Sequence, residues 1–209
     1  MKIISIEGNI GSGKSTLIKM LKKKENLIFL PEPVDEWNKI VDSNGTNILE
    51  KYYSNQKRYA FSFQMMAYIT RLKQLLECNA SENSIIITER CLYTDREIFA
   101  KMLYDSGMIE DIEYSIYLHW FDYFIKNIEI NHFIYLRNDP EVCLQRIHIR
   151  DRKGETIPIE YLINCHKYHE NWLNNKENIL VLDGNVNYSD ELPEKWISLI
   201  NSFIYLKNT

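Results

Sequence analysis

The chain is short of glycine. It has seven in 209 residues, and three of them, Gly8, Gly11 and Gly13, fall within six residues. A sequence that otherwise avoids the residue most tolerant of left-handed backbone has gathered it into one loop. Cysteine is equally sparse. Cys78, Cys91, Cys143 and Cys165 make no C-x-x-C pair and meet no histidine cluster at zinc spacing, so neither a structural zinc module nor a disulfide framework is expected. No apolar run approaches the roughly 18 residues of a membrane span. The opening MKIISIEG has neither an apolar signal core nor Arg/Ser-rich transit character, which predicts a cytoplasmic protein with free thiols and no membrane partner. Basic surplus is also missing: 25 Lys and Arg stand against 29 Asp and Glu, a net charge of -4. That argues against polymeric nucleic acid as a partner but leaves room for a small anion in one basic pocket.

The arginines point to such a pocket. All eight lie between Arg58 and Arg152, and four of them (Arg137, Arg146, Arg150, Arg152) sit within sixteen residues, while lysine is spread along the chain. Local arginine suits planar recognition of phosphate or carboxylate; the plainer alternative is a solvated helix face.

Short β-rich runs alternate with longer helical stretches, with no repeat, low-complexity tract or linker between them. Strands are predicted at Lys2–Glu7, Asn26–Leu30, Ser84–Thr88, His132–Arg137 and Asn178–Leu182. The third is the most apolar and is expected at the centre of the sheet. Helices are predicted at Lys14–Lys24, Thr46–Cys78, Tyr93–Tyr104, Ile109–Ile128, Asp139-Pro140 to about Arg150, Pro158–Asn175 and Glu191–Tyr205. Strands separated by helices imply a five-stranded parallel sheet with right-handed crossovers, an α/β three-layer fold in a single domain over residues 1–209. Such sheets bind ligands beyond the carboxyl ends of their strands.

At the end of the first strand stands Gly8-Asn9-Ile10-Gly11-Ser12-Gly13-Lys14-Ser15-Thr16, a complete G-x-x-x-x-G-K-S/T phosphate loop between strand and helix. Glycines turn successive N–H groups inward around a phosphate, and the helix N-terminus adds its dipole. Lys14 is expected to reach the β- and γ-phosphates and the Ser15 hydroxyl to ligate Mg²⁺. A P-loop NTPase-type fold using ATP or another nucleoside triphosphate follows. No N-K-x-D guanine motif is present, since Asn175-Lys176 runs into Glu177-Asn178, and no second nucleotide core is visible. A GTPase and a motor ATPase are disfavoured; a small-molecule kinase leads.

A hydroxyl acceptor needs a carboxylate near a strand end to take its proton. Glu32, stiffened between Pro31 and Pro33 after the second strand, is so placed, although position alone also allows a surface turn. Its surroundings, Pro31-Glu32-Pro33-Val34-Asp35-Glu36-Trp37, closely resemble a segment of the deoxynucleoside kinases: the deoxycytidine, deoxyguanosine and mitochondrial-type thymidine kinases with their insect and bacterial relatives. The resemblance continues in order through Phe61-Ser62-Phe63-Gln64, Glu89-Arg90-Cys91-Leu92-Tyr93-Thr94-Asp95-Arg96 and Arg146-Ile147-His148-Ile149-Arg150-Asp151-Arg152. It then runs through Ile157-Pro158-Ile159-Glu160-Tyr161-Leu162 to His169-Glu170-Asn171-Trp172-Leu173, so that it covers roughly residues 2–190.

The resemblance implies a role for each matching residue. Glu32 is the general base on the deoxyribose 5′-hydroxyl. Arg90 holds Glu32 ionised and steadies the transferring phosphoryl group. Glu89 helps to bind Mg²⁺, directly or through water. Gln64 reads the pairing edge of the base, for which an amide can donate and accept together. Trp37, Phe63 and Phe99 sandwich the base, although aromatic residues at helical spacing are by themselves more often core. Tyr53 and Glu155 bond the sugar 3′-hydroxyl; the segment Arg152–Ile157 is one residue shorter than in the deoxycytidine kinases, which leaves Glu155 the least secure. Arg146, Arg150 and Arg152 form a lid, about residues 146–157, and the four-residue spacing of Arg146 and Arg150 lets both converge on one anion. Asp183 to Tyr188 resembles the loop cradling the donor adenine.

Ala67, Arg71 and Asp95 match the base-pocket set of the deoxycytidine and deoxyguanosine branches. Asp95 can accept from an exocyclic amine while Arg71 fixes the carboxylate bidentately. Thymine offers a carbonyl at that place, so deoxycytidine or purine deoxynucleosides are expected to be preferred over thymidine. Two rivals are a deoxynucleoside monophosphate kinase, disfavoured because Glu32 stands where an acceptor phosphate would need a cation, and a non-catalytic structural subunit, disfavoured because Lys14 and Glu32 are both present. The family is typically homodimeric, and Tyr114–Phe124, with six aromatics in eleven residues, fits either core or a dimer seam.

Overall fold

The apolar runs of this sequence become strands with apolar residues on both sides of the pleat, buried in the three inner strands and half-buried at the two edges. In the computed structural model, which describes residues 1–22, 27–152, 155–186 and 191–205, these are β1 (Lys2–Glu7), β2 (Leu27–Leu30), β3 (Ile85–Glu89), β4 (His132–Arg137) and β5 (Ile179–Asp183). All pairings are parallel and the order is β2-β3-β1-β4-β5. Helices connect them: α1 (Lys14–Leu21), α2 (Val34–Lys39), α3 (Ile48–Ser54), α4 (Gln56–Glu77), α5 (Leu92–Thr94), a π-helical turn over Asp95–Ala100, α6 (Lys101–Asp105), α7 (Asp111–Phe124), α8 (Pro140–Arg150), α9 (Ile159–Leu173) and α10 (Glu194–Tyr205).

Alternation along the strands builds three layers. Ile4, Ile6, Ile87, Ile134 and Leu136 meet Leu17 and Leu21 of α1 and Trp196, Ile200 and Ile204 of α10 on one face. Ile3, Ile86, Phe133 and Tyr135 meet Leu75, Trp172 and Leu173 on the other. Each fully buried isoleucine contributes about 1.5–3 kcal/mol of transfer free energy. From β1 the chain runs first to the β2 edge and, after β3, crosses to the β4 side. Strand order therefore reverses at β1, and the crevice at its carboxyl end is the ligand position of an open parallel sheet. This is the P-loop NTPase-type α/β architecture expected from the sequence.

Three local expectations are corrected. β1, not β3, is the middle strand; the Ile85-Ile86-Ile87 run reflects cover on both faces, which a strand second from the edge also needs. The stretch Thr46–Cys78 is two helices, broken at Asn55, whose extended backbone (φ -153°) ends α3 and whose side chain accepts from Arg58 N–H to start α4. The segment Tyr93–Tyr104 contains the π turn, and α2 forms directly after Pro33. As predicted, Asp139 and Pro140 open α8, Asp139 in the N-cap position, and its carboxylate takes the Asn185 amide at 3.2 Å.

Candidate active site

The phosphate loop closes around its own lysine. Gly8, Gly11 and Gly13 have φ of 147°, 80° and 97°, backbone that a side chain rarely adopts. At Gly11 space is decisive too, since a Cβ there would lie 2.5 Å from the Cys143 carbonyl oxygen of α8. Asn9 ties the loop to α9, donating to the Leu162 carbonyl at 2.9 Å while its Oδ1 accepts from Ile10 N–H. Lys14 Nζ donates to the carbonyls of Gly8 (3.0 Å) and Asn9 (2.7 Å) and to Ser12 Oγ (3.3 Å). Burial first, and then the charge of Arg90, bring its ammonium down to about 8, against Glu89 and Glu32. The Ser15 hydroxyl donates to Glu89 Oε1 at 2.7 Å. Among the described residues no three His, Cys, Asp or Glu gather as an all-protein metal cage. Thr16 lines the same cleft.

That cleft, about 920 Å³, runs from the phosphate loop past Glu32 to the interior of α4. Along it lies a chain of ion pairs. Arg90 Nη1 donates to Glu32 Oε1 at 2.6 Å, Arg71 Nη2 reaches the same oxygen at 3.5 Å, and Arg71 Nε donates to Asp95 Oδ2 at 3.0 Å. Arg71 Nη1 also donates to the Glu89 carbonyl at 2.6 Å. Burial raises the Glu32 carboxyl, but Arg90, Arg71 and Lys14 overcome it and hold the group at about 2. At Asp95 the balance tips the other way, burial raising the carboxyl against the pull of Arg71. Three cations (Lys14, Arg71, Arg90) thus face three carboxylates (Glu32, Glu89, Asp95), which is why so much charge tolerates burial.

The wide end of the cleft is aromatic. Trp37 and Phe63 meet edge to face at 5.3 Å, Phe63 stacks on Tyr52 at 4.7 Å, and Phe99 lies beneath the Arg90 guanidinium at 5.0 Å. Trp37 and Phe63 are therefore core residues and cleft walls at once. Gln64 and Ala67 are buried on the same face of α4, and Gln64 Oε1 has no partner among the described residues. Asp95 and Phe99 both reach the cleft from the π turn.

The lid arginines have protein partners of their own. Arg146 and Arg150 both line the cleft, but Arg146 donates to the Ser12 and Val186 carbonyls (3.2 and 3.3 Å), whereas Arg150 pairs with Glu155 at 2.5 Å. Arg152 stands 3.9 Å from the same carboxylate. Arg146 thus faces the phosphate loop, and Arg150 and Arg152 face Glu155. Glu155 and Tyr53 do share the cleft wall, and burial followed by the Glu155 charge raises the Tyr53 phenol. Asp183 is exposed and accepts from Asn185 N–H at 3.1 Å; Tyr188 lies outside the described residues. Tyr52 and Tyr161, not singled out from the sequence, bond hydroxyl to hydroxyl at 3.0 Å in the wall.

A model of the deoxynucleoside kinase family matches residues 4–205. The chain belongs to the deoxynucleoside kinases. It is 37% identical to the deoxycytidine kinase of Homo sapiens over 92% of this chain and 82% of that protein. It is 35% identical to the probable deoxycytidine kinase of fowlpox virus (strain NVSL), over 98% and 88%. Identity to mitochondrial thymidine kinase 2 of Homo sapiens is 34%, over 82% and 64%. A deoxynucleoside kinase moves a phosphoryl group from ATP to a hydroxyl, and this kinase keeps Lys14 and Glu32, the groups that a non-catalytic subunit on the same fold would be expected to lose.

Proposed function

We propose that this kinase transfers the γ-phosphoryl group of ATP to the 5′-hydroxyl of a deoxynucleoside whose base carries an exocyclic amine, deoxycytidine or a purine deoxynucleoside rather than thymidine, in nucleotide salvage. The observation that carries the reading is the ion-pair chain Arg90–Glu32–Arg71–Asp95, which joins the phosphate loop to the base end of the cleft. Glu32 is ionised throughout the neutral range and accepts the 5′-hydroxyl proton as the new O–P bond forms and the β–γ bridging bond breaks. Arg90, already on Glu32, lies where it can also meet charge on the moving phosphoryl group. Asp95 keeps lone pairs free beyond those given to Arg71 and takes the amine, while the unpartnered Gln64 oxygen and its amide nitrogen serve the pairing edge. Tyr53 and Glu155 hold the sugar, and Trp37, Phe63, Ala67 and Phe99 enclose the base.

Mg²⁺ fits this floor: Mg²⁺ takes one or two protein oxygens and completes its shell with phosphate and water, and Ser15 and Glu89 supply such oxygens together. When bound it neutralises charge on the β- and γ-phosphates. Arg146, Arg150 and Arg152 complete the donor side. A substrate panel with the four deoxynucleosides tests the base preference, and thymidine giving the highest kcat/KM would refute it. Turnover of thymidylate would favour the monophosphate-kinase alternative, and undiminished activity of Glu32→Gln would remove Glu32 as base.

We also assign a homodimer to α7. Its inner side buries Tyr117 and Phe121, whereas Ile112, Ile116, Trp120 and Tyr123 are 65%, 40%, 42% and 61% exposed. Sedimentation at micromolar concentration checks this, and a monomer would refute it.

A further inference from the structure

Arg90 carries its side chain on strained backbone. With φ of 62° it is one of two non-glycine residues at positive φ among the described residues, the other being Asp151 after the end of α8. An L-residue stays there only when its surroundings over-determine it. Three consecutive residues of the β1 end do so. The Ile6 carbonyl accepts from Arg90 N–H at 3.0 Å, and the Gly8 carbonyl from Arg90 Nη2 at 3.5 Å. The third hold comes from Glu7, through side chains. Cys91 N–H, the donor just after Arg90, bonds Thr94 Oγ1 at 2.9 Å, and that hydroxyl donates to Glu7 Oε1 at 2.7 Å. Ser5 Oγ donates to the same oxygen.

Glu7 is fully buried, and among the described residues no arginine or lysine pairs with it and its Oε2 has no partner. A carboxylate in such a place is costly for the fold, and an apolar residue would pack at less cost. Its retention at the residue directly before the phosphate loop needs a reason. We propose that Glu7, acting through Thr94, is a positioning residue for phosphoryl transfer: it locks Arg90 in its left-handed backbone and so fixes the guanidinium on Glu32 in register with the phosphate loop. β1 then aligns both halves of the reaction. Gly8 opens the donor loop, and Glu7 sets the arginine that holds the acceptor's base.

This assignment rests on Glu32 acting as the base. The test compares Thr94→Val, which keeps the shape and loses the relay, with Thr94→Ser, which keeps the hydroxyl, and with Glu7→Gln. Thr94→Val is expected to lower kcat by about tenfold or more, as displacement of a reacting group does, with both KM values nearly unchanged. Thr94→Ser should restore most of the loss, and Glu7→Gln should fall between them. Because Arg90 helps to hold Glu32 at about 2, a loosened Arg90 should also move the acid limb of kcat upward in Thr94→Val, a change that a merely structural role would not produce. A Thr94→Val enzyme that melts earlier but keeps wild-type kcat and acid limb overturns the proposal, as does a Thr94→Ser enzyme as impaired as Thr94→Val. Full activity of Glu32→Gln would instead overturn the reading of Glu32, so the two failures are distinguishable.

Discussion

Replacing Asp95 by asparagine separates recognition from folding in one variant. The Arg71 and Asp95 side chains are 4% and 3% exposed and meet at 3.0 Å. Removing one partner of such a pair costs about 3–5 kcal/mol. Here the loss should sit at the low end, because Arg71 keeps Glu32 at 3.5 Å and the Glu89 carbonyl at 2.6 Å, and asparagine retains an acceptor oxygen. About 3 kcal/mol lowers the melting temperature of a chain this size by roughly 6–12 °C and leaves it folded at 25 °C. Specificity should change more sharply. A hydrogen bond from the base amine to a carboxylate is worth about 1.5–3 kcal/mol, a factor of roughly 10–150. The amide, unlike the carboxylate, can turn and donate to a thymine carbonyl. The ratio of kcat/KM for deoxycytidine to that for thymidine should therefore fall by about 10²-fold. The assay is steady-state kinetics on both nucleosides, with thermal melting alongside. A ratio within about threefold of wild type in an Asp95→Asn enzyme with a lowered Tm would show that Asp95 is structural only, and the base reading would be wrong.

Three further outcomes are expected. Gly11→Ala places a Cβ against the Cys143 carbonyl at 2.5 Å on backbone of φ 80°, so stability should fall by about 1–3 kcal/mol and the KM for ATP should rise; an unchanged KM would mean that the loop yields without disturbing the donor site. Lys14, brought down to about 8 by burial, is charged below that pH and loses its proton above it, so kcat/KM for ATP should decline above pH 8; a profile flat to about pH 9.5 would contradict this. His169, fully buried, has its imidazole lowered from 6.5 to about 3 by burial. The unfolded chain binds the proton first as pH falls, so stability is full above 6.5 and declines by about 1.4 kcal/mol per pH unit down towards 3. His169→Phe should flatten that slope in denaturant titrations, and an unchanged slope would assign it to other groups.

The donor side was legible in the sequence because its parts are contiguous: strand, glycine loop, lysine and helix lie within Lys2–Leu21. The acceptor side was not. Glu32, Gln64, Arg71, Arg90 and Asp95 come from four separate segments, and only resemblance grouped them before the fold did. Local patterning missed the break at Asn55, although an asparagine just before a helical run is a recognisable cap. It missed the π turn because six residues are too few for hydrophobic period to tell 3.6 residues per turn from the larger number of an i→i+5 turn. Glu155 was read toward sugar, and its pairing with Arg150 and Arg152 could not be read at all, since nothing in spacing tells a charged residue whether it faces substrate or a neighbour. Glu7 sat in a strand otherwise read as hydrophobic, and its partner Thr94 is 87 residues away.

The joint at Asn55 divides labour. Tyr52 and Tyr53 lie on the short helix before it, Phe63, Gln64, Ala67 and Arg71 on the long helix after it. Each helix has its own starting cap, Asn47 for the first and Asn55 for the second. The rods are capped separately but not packed separately, because Phe63 of the second stacks on Tyr52 of the first at 4.7 Å. A change at Tyr52 is therefore felt at Phe63, and paired substitutions across that contact should depart from additivity, whereas changes at Arg71, far along the second rod, should combine with those at Tyr52 more nearly additively.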